Sequence, residues 1–257
     1  MLCVLPVTKS DKALALKLAG LISLFGGVKQ HKLLVVGTLS TVKEATAISD
    51  LLADIFEKSE VFMPETECEI GWPQSCNHLF SQVVLYLDRT QNKLPWYFCE
   101  ADCTPIRATW LDEIETEYNT SKKPFLGAVQ KTRLVDPETG EFSKYDGEHV
   151  IGSCVYPADF ARRSTLWRYI RWDNDPPRAT PWDVYIRHEV RPMTQVSKTI
   201  QSNWRTKNYR IGQGGRITCE PIDDLSVCDP ISDEVAVIHG CKDGSLIDEL
   251  TGGRKVK

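Results

Sequence analysis

The sequence predicts an α/β fold built on a doubly wound, mostly parallel sheet. Three observations lead there: short, wholly apolar runs that suit strands buried on both faces, stretches of helical periodicity between them, and glycine or proline at the joints. Met1 to Pro6 is the first apolar run, cut off by proline and opening into a loop at Val7-Thr8-Lys9. From Asp11 to Phe25, the residues Leu14, Leu18, Leu21, Ile22 and Phe25 recur at helical spacing, and Gly26-Gly27 closes the helix. His31 to Gly37 reads as the second strand, Thr41 to Lys58 as the second helix, and Glu60 to Met63 as the third strand. This alternation requires right-handed crossovers, and sheets of this kind bind their ligands at the carboxyl ends of the strands.

Further along, Gly71-Trp72-Pro73 turns into a helix over His78 to Thr90, and the apolar strand Trp96 to Cys99 runs directly into Glu100-Ala101-Asp102. Thr104-Pro105 reads as the cap and first position of a helix over Ile106 to Tyr118. Phe125 to Val129 and His149 to Tyr156 are predicted strands, Asp136 to Gly140 a turn, and Val184 to Val190 a helix preceded by Asp183. With no internal repeat and no long linker, the reading is one domain over 1–257, with a first half at 1–103 and an elaborated second half at 104–257.

The 257 residues are 42% hydrophobic, enough for a sizeable core, and the net charge of −4 exerts no global pull toward nucleic acid or membrane. No apolar run approaches the roughly 18 residues of a membrane span, and MLCVLPVTKS lacks the features of a signal peptide, so a cytoplasmic protein is expected. Nine cysteines without paired CxxC spacing predict reduced thiols in a reducing compartment rather than a zinc site.

Two acids directly after an apolar strand place two negative charges at the edge of a sheet, where leaving them unpaired is costly. A hard divalent cation shared with phosphate oxygens satisfies them. From spacing alone Glu100 and Asp102 read equally as loop acids beside the next helix. Late in the chain, His239-Gly240-Cys241-Lys242 ends a short apolar strand. Its imidazole can ligate Mn²⁺, and its lysine can reach a diphosphate as a compact charge. A lone late histidine is more often structural, and the case rests on its order after the acids.

In this order of elements the chain resembles the GT-A glycosyltransferases, which carry a DxD-type motif after a buried strand and, in several families, a late segment folded over the sugar diphosphate. The resemblance implies a GT-A-like, Rossmann-type fold and a nucleotide-sugar donor with Mn²⁺ or Mg²⁺, His239 favouring manganese. It makes Asp102 and His239 metal ligands, with Glu100 on the metal or the ribose. Glu100 stands where the motif more often has Asp, which puts its role in doubt. Pro6, Val7 and Thr8 correspond to the loop that contacts base and ribose, Asn77 to a polar side chain facing the donor, and Ala101 and Lys242 to further donor contacts. Asp183 and then Glu189 are the candidates for the base that takes the acceptor's proton; capping of the following helix is an equal reading of Asp183.

Between Ala161 and Arg216, twelve Lys and Arg face four Asp and Glu, an excess of eight positive charges interleaved with Trp167, Tyr169, Trp172, Trp182, Tyr185, Trp204 and Tyr209. Cations alternating with flat rings suit nucleic acid. Sugar rings, or a packed aromatic subdomain rimmed by solvated arginines, account for the same pattern. The leading acceptor expectation is DNA bearing a hydroxymethylated pyrimidine, as in virus-encoded enzymes that glycosylate their own genome in the host cytoplasm. A glycan or lipid-linked acceptor, a sugar nucleotidyltransferase and a non-enzymatic nucleic-acid-binding module are the alternatives. The nucleotidyltransferase is disfavoured because LPVTKSDKA contains no glycine for a triphosphate loop.

Overall fold

The structure is a computed structural model describing residues 1–68, 71–135, 142–163, 180–223, 226 and 228–252, for 132–135 and 142–146 through the backbone alone. The main sheet has seven strands, in the order β10 (Thr194–Val196), β6 (Phe125–Gly127), β9 (Val155–Tyr156), β4 (Trp96–Phe98), β1 (Leu2–Pro6), β2 (Lys32–Val36) and β3 (Lys58–Phe62). β9 runs antiparallel to both neighbours, and all the other pairings are parallel. The α/β, mostly parallel architecture is therefore present. The strand order reverses between β1 and β4, which makes their carboxyl ends the topological switch point.

Alternation along β1 explains its central place. Cys3 and Leu5 pack with α1 (Lys12–Phe25), α2 (Val42–Leu52) and α4 (Trp110–Thr120) in one core, where Leu18, Ile22, Ile48, Trp110 and Ile114 are buried. Leu2 and Val4 point to the opposite core, packed against α3 (Gln74–Arg89) through Phe80 and Val83. There Phe80 stacks on Trp182 with centroids 3.7 Å apart, and Trp96 stacks on Tyr156 at 4.3 Å. The Phe80 stack, with Tyr156 and Phe98 5.7 and 6.4 Å from the Trp182 ring, fixes the short helix α5 (Trp182–Tyr185) against the sheet.

A second sheet, ordered β12 (Ile217–Pro221), β11 (Ile200–Ile211), β13 (Val237–Cys241) and β5 (Cys103–Pro105), lies beyond the end of β4. β13 is buried throughout, parallel to β11 and antiparallel to β5. A separate hairpin pairs β7 (Val129–Val135) with β8 (Phe142–Val150), setting Gln130 opposite His149.

Several boundaries depart from the sequence expectation. Thr104-Pro105 forms strand β5 rather than a helix start, because β13 offers it a partner at Val237 and Ile238; the helix begins only at Trp110. α2 stops at Leu52, since Lys58 must already pair with Lys32. α3 starts at Gln74, four residues before His78, directly after the cis Trp72-Pro73 bond. Ala128 separates β6 from β7 within Phe125 to Val129, and His149 to Tyr156 bends after Val150 before resuming as β9. Val184 to Val190 is two short helices, α5 and α6 (Arg187–Val190), with Asp183 inside the first. The turn at Asp136 to Gly140 lies outside the described residues. Not all thiols are reduced: β12 and the loop after it bring Cys219 and Cys228 to a Cα separation of 6.6 Å, within bonding reach, and they form a disulfide. Cys3, Cys68, Cys76, Cys99, Cys103, Cys154 and Cys241 are free. Among the described residues no helix is long and apolar enough to cross a membrane.

Candidate functional site

The site forms where β4 ends. The Cys103 N–H donates to the Glu100 carbonyl at 2.9 Å, and this tight turn carries the chain from the main sheet into β5. Because β13 lies antiparallel to β5 with His239 opposite Cys103, the histidine arrives beside the acids. The Gly240 N–H donates to the Asp102 carbonyl at 3.2 Å and ties the two segments together. Gly240 has φ +106°, and a Cβ there would lie 2.1 Å from the Asn203 carbonyl oxygen, so only glycine fits this close approach.

Glu100, Asp102 and His239 each offer a ligand atom, all within 4.8 Å of one another. His239 Nε2 is 3.4 Å from Glu100 Oε2 and 3.6 Å from Asp102 Oδ1. Lys242 forms an ion pair with Asp102 through Oδ2. Ser153 donates to Glu100 Oε2 at 2.7 Å, from a turn where a Cβ on Gly152 would approach that oxygen to 3.3 Å. Burial pushes the Asp102 carboxyl up, but the charges of Lys242 and His239 outweigh it and hold it at about 2. Burial pulls His239 down, yet Asp102 and Glu100 lift it to about 9. Burial also works against charged Lys242, but Asp102 and Glu100 keep it well above its ordinary value. Two carboxylates and an imidazole form a donor set that fits Mn²⁺ or Mg²⁺.

A cleft of about 800 Å³ opens from this cluster, a size suited to a nucleotide-sized ligand. Glu100, Ala101, Asp102 and Lys242 line it, as do Pro6 and Thr8 at the end of β1. Val7 does not share that surface: its side chain is fully buried, its N–H donates to Val36 and its carbonyl accepts from Thr41. Asn77 is a buried brace, donating to the Thr180 carbonyl at 3.0 Å and accepting from the Trp182 N–H at 2.7 Å. The wall also includes Trp72, 63% exposed.

Asp183 follows Trp182, whose ring lies 3.0 Å from a Cβ built on Gly152 beside Glu100. Its Oδ1 accepts from the Val184 N–H at 2.9 Å, and His149 Nε2 stands 3.9 Å from Oδ2. Burial raises the Asp183 carboxyl above its usual range, partly offset by His149. Glu189 is half-buried on α6 and makes no hydrogen bond or ion pair with Glu100, Asp102 or His239 among the described residues. Sequence reasoning missed His149, Ser202, Gln130 and Trp72 as parts of the site. Only Trp72, flanked by glycine and proline, had a local signal.

The basic segment is less free than its composition implies. Arg162 pairs with Asp88, Arg163 with Asp159, Arg191 with Glu148, Lys198 with Glu234, Arg205 with Asp223 and Arg210 with Glu249. Arg168, Arg171, Arg178, Trp167, Tyr169 and Trp172 lie outside the described residues.

The fold and site together define an α/β protein with a carboxylate and imidazole cluster at the switch point of a mostly parallel sheet. No family model and no curated protein matches the sequence. Among solved structures the chain is similar to 4-diphosphocytidyl-2C-methyl-D-erythritol synthase, at 10% identity over 76% of this chain and 86% of that one, with a TM-score of 0.44. It is also similar to mouse xyloside xylosyltransferase 1 in its apo form, at 12% identity, 78% and 86% coverage and a TM-score of 0.44. A third likeness is to the WbbM bifunctional glycosyltransferase, at 8% identity over 79% of this chain and 39% of that one, with a TM-score of 0.47. Likenesses this distant leave the chemistry to be read from the site's own residues.

Proposed function

We propose that this protein is a metal-dependent glycosyltransferase that moves a sugar from a nucleotide diphosphate sugar to an acceptor hydroxyl. The observation that carries the reading is the convergence of Glu100, Asp102, His239 and Lys242 at one end of the cleft. In this reading Asp102 and His239 hold the ion, with Glu100 as a third ligand or ribose contact. The bound ion supplies electrostatic stabilisation of the departing diphosphate. Lys242 leaves Asp102 for the diphosphate and meets the charge that grows as the glycosidic bond breaks. Asp183 takes the acceptor proton, and Glu189 is the second candidate. Pro6 and Thr8 border the donor by contact, whereas Val7 and Asn77 act through the backbone and the Trp182 turn. Residues 1–103 hold most of the donor and 104–257 the acceptor, with His239 to Lys242 crossing back.

The acceptor reading, DNA with a hydroxymethylated pyrimidine, rests on the excess charge between 161 and 216. The six ion pairs reduce the charge free to follow phosphates. Modified duplex DNA and a glycan are therefore assayed side by side. The first experiment measures Mn²⁺-dependent release of nucleoside diphosphate from a panel of nucleotide sugars, for wild type, Asp102→Ala and His239→Ala. One donor cleaved by wild type and spared by folded variants upholds the proposal; no donor bound or cleaved overturns it. Release of pyrophosphate from a nucleoside triphosphate and a sugar phosphate would instead make the protein a nucleotidyltransferase.

A further inference from the structure

His239 meets the acid cluster through Nε2. To ligate an ion there, that nitrogen must present a lone pair, so the ring proton must sit on Nδ1, and a buried Nδ1–H requires an acceptor. The atom in place is Ser202 Oγ, 3.1 Å from Nδ1. Ser202 is buried and pairs directly with His239 across β11 and β13. Its oxygen is engaged in turn by Gln130 Nε2 at 2.6 Å, reaching over from the separate β7–β8 hairpin.

We infer that Ser202 and Gln130 are positioning residues that hold His239 in the ring orientation and tautomer that accept a metal ion, an inference that rests on the metal-site reading above. A serine oxygen has two acceptor lone pairs, so it takes the imidazole N–H and the Gln130 N–H together. With the amide turned over, the Gln130 carbonyl accepts the Ser202 proton and leaves the serine oxygen wholly to the imidazole. In the first arrangement the serine's own proton is left free to turn toward Nδ1; in the second the Gln130 carbonyl takes it, and this is the arrangement that reserves the serine oxygen for the Nδ1 proton. The three residues come from β7, β11 and β13, so the hydrogen-bond chain behind the ring joins the hairpin to the second sheet.

The test titrates Mn²⁺ alone into the full chain, following free Mn²⁺ by electron paramagnetic resonance, for wild type, Gln130→Met, Ser202→Ala and Gln130→Glu. Thermal melting of each metal-free protein is recorded alongside. Gln130→Met and Ser202→Ala are expected to weaken Mn²⁺ binding by about tenfold or more, the usual cost of losing a ligand's outer partner. Gln130→Glu is expected to bind at least as tightly as wild type, because a carboxylate accepts the Ser202 proton. Wild-type affinity in both Gln130→Met and Ser202→Ala, or equal loss in Gln130→Glu and Gln130→Met, overturns the inference while the metal site stands. Absence of Mn²⁺ binding by wild type overturns the metal reading beneath it as well.

Discussion

The two oxygens of Asp102 serve different partners: Oδ2 pairs with Lys242, while Oδ1 faces His239 Nε2 at 3.6 Å. The lysine side chain is half-exposed and the aspartate almost fully buried, so the cation can leave the pair while the acid stays. Lys242→Ala is expected to lower kcat for donor cleavage by about 10²–10³-fold, the scale of losing one preorganised charge at a leaving group. Stopped assays of nucleoside diphosphate release, with Lys242→Arg as a partial rescue, check it.

Removing the ion and removing its ligands are expected to converge. Chelation followed by gel filtration abolishes donor cleavage and Mn²⁺ restores it, whereas Asp102→Asn and His239→Ala remain inactive at the Mn²⁺ concentration that saturates wild type. Circular dichroism of the two variants separates lost chemistry from lost fold.

Asp183 sets the expected pH dependence. As the proposed base it would act only as a carboxylate, and burial holds its acid form to a higher pH than usual. Transfer is therefore expected to be intact at neutral pH and to fall with acidification through a value above the ordinary carboxylate range. Asp183→Asn is expected to lose about 10²–10⁴-fold in transfer and to keep slow donor hydrolysis. A pH profile whose acid limb is unchanged in Asp183→Asn would assign the base elsewhere, with Glu189→Gln the next variant to measure.

Gly240→Ala tests the close approach of β13 to its neighbour β11. With φ at +106° and the Asn203 carbonyl 2.1 Å from the added Cβ, the substitution is expected to cost about 3 kcal/mol and to lower the melting temperature by roughly 6–12 °C. Calorimetric melting of the variant against wild type measures it.

Where burial runs continuously, the sequence was readable. β1, β2 and β4 are short apolar segments enclosed on both faces, and each lies within a residue or two of its expected bounds. Glu100 and Asp102 were visible because they interrupt such a segment, and His239 because it ends another. Thr104-Pro105 misled because a cap and a strand edge share the same residues locally, and the deciding partner, Val237, is far away in the chain. The same distance hid Ser202 and Gln130, ordinary polar residues whose place is set by pairing across 37 and 72 positions with His239 and Ser202. Excess positive charge was legible as a sum, but its neutralisation by Asp88, Glu148, Glu234 and Glu249 was not, because those acids lie outside the segment.

The β7–β8 hairpin gives the molecule a shared point of failure. Gln130 and His149 stand opposite each other in its ladder, so both side chains leave the same face of the ribbon, one toward the Ser202–His239 pair and the other toward Asp183. A one-residue shift of the ribbon as a whole would turn both away at once. On the proposed function, a displacement of this ribbon would bear on donor activation and acceptor deprotonation together rather than trading one against the other.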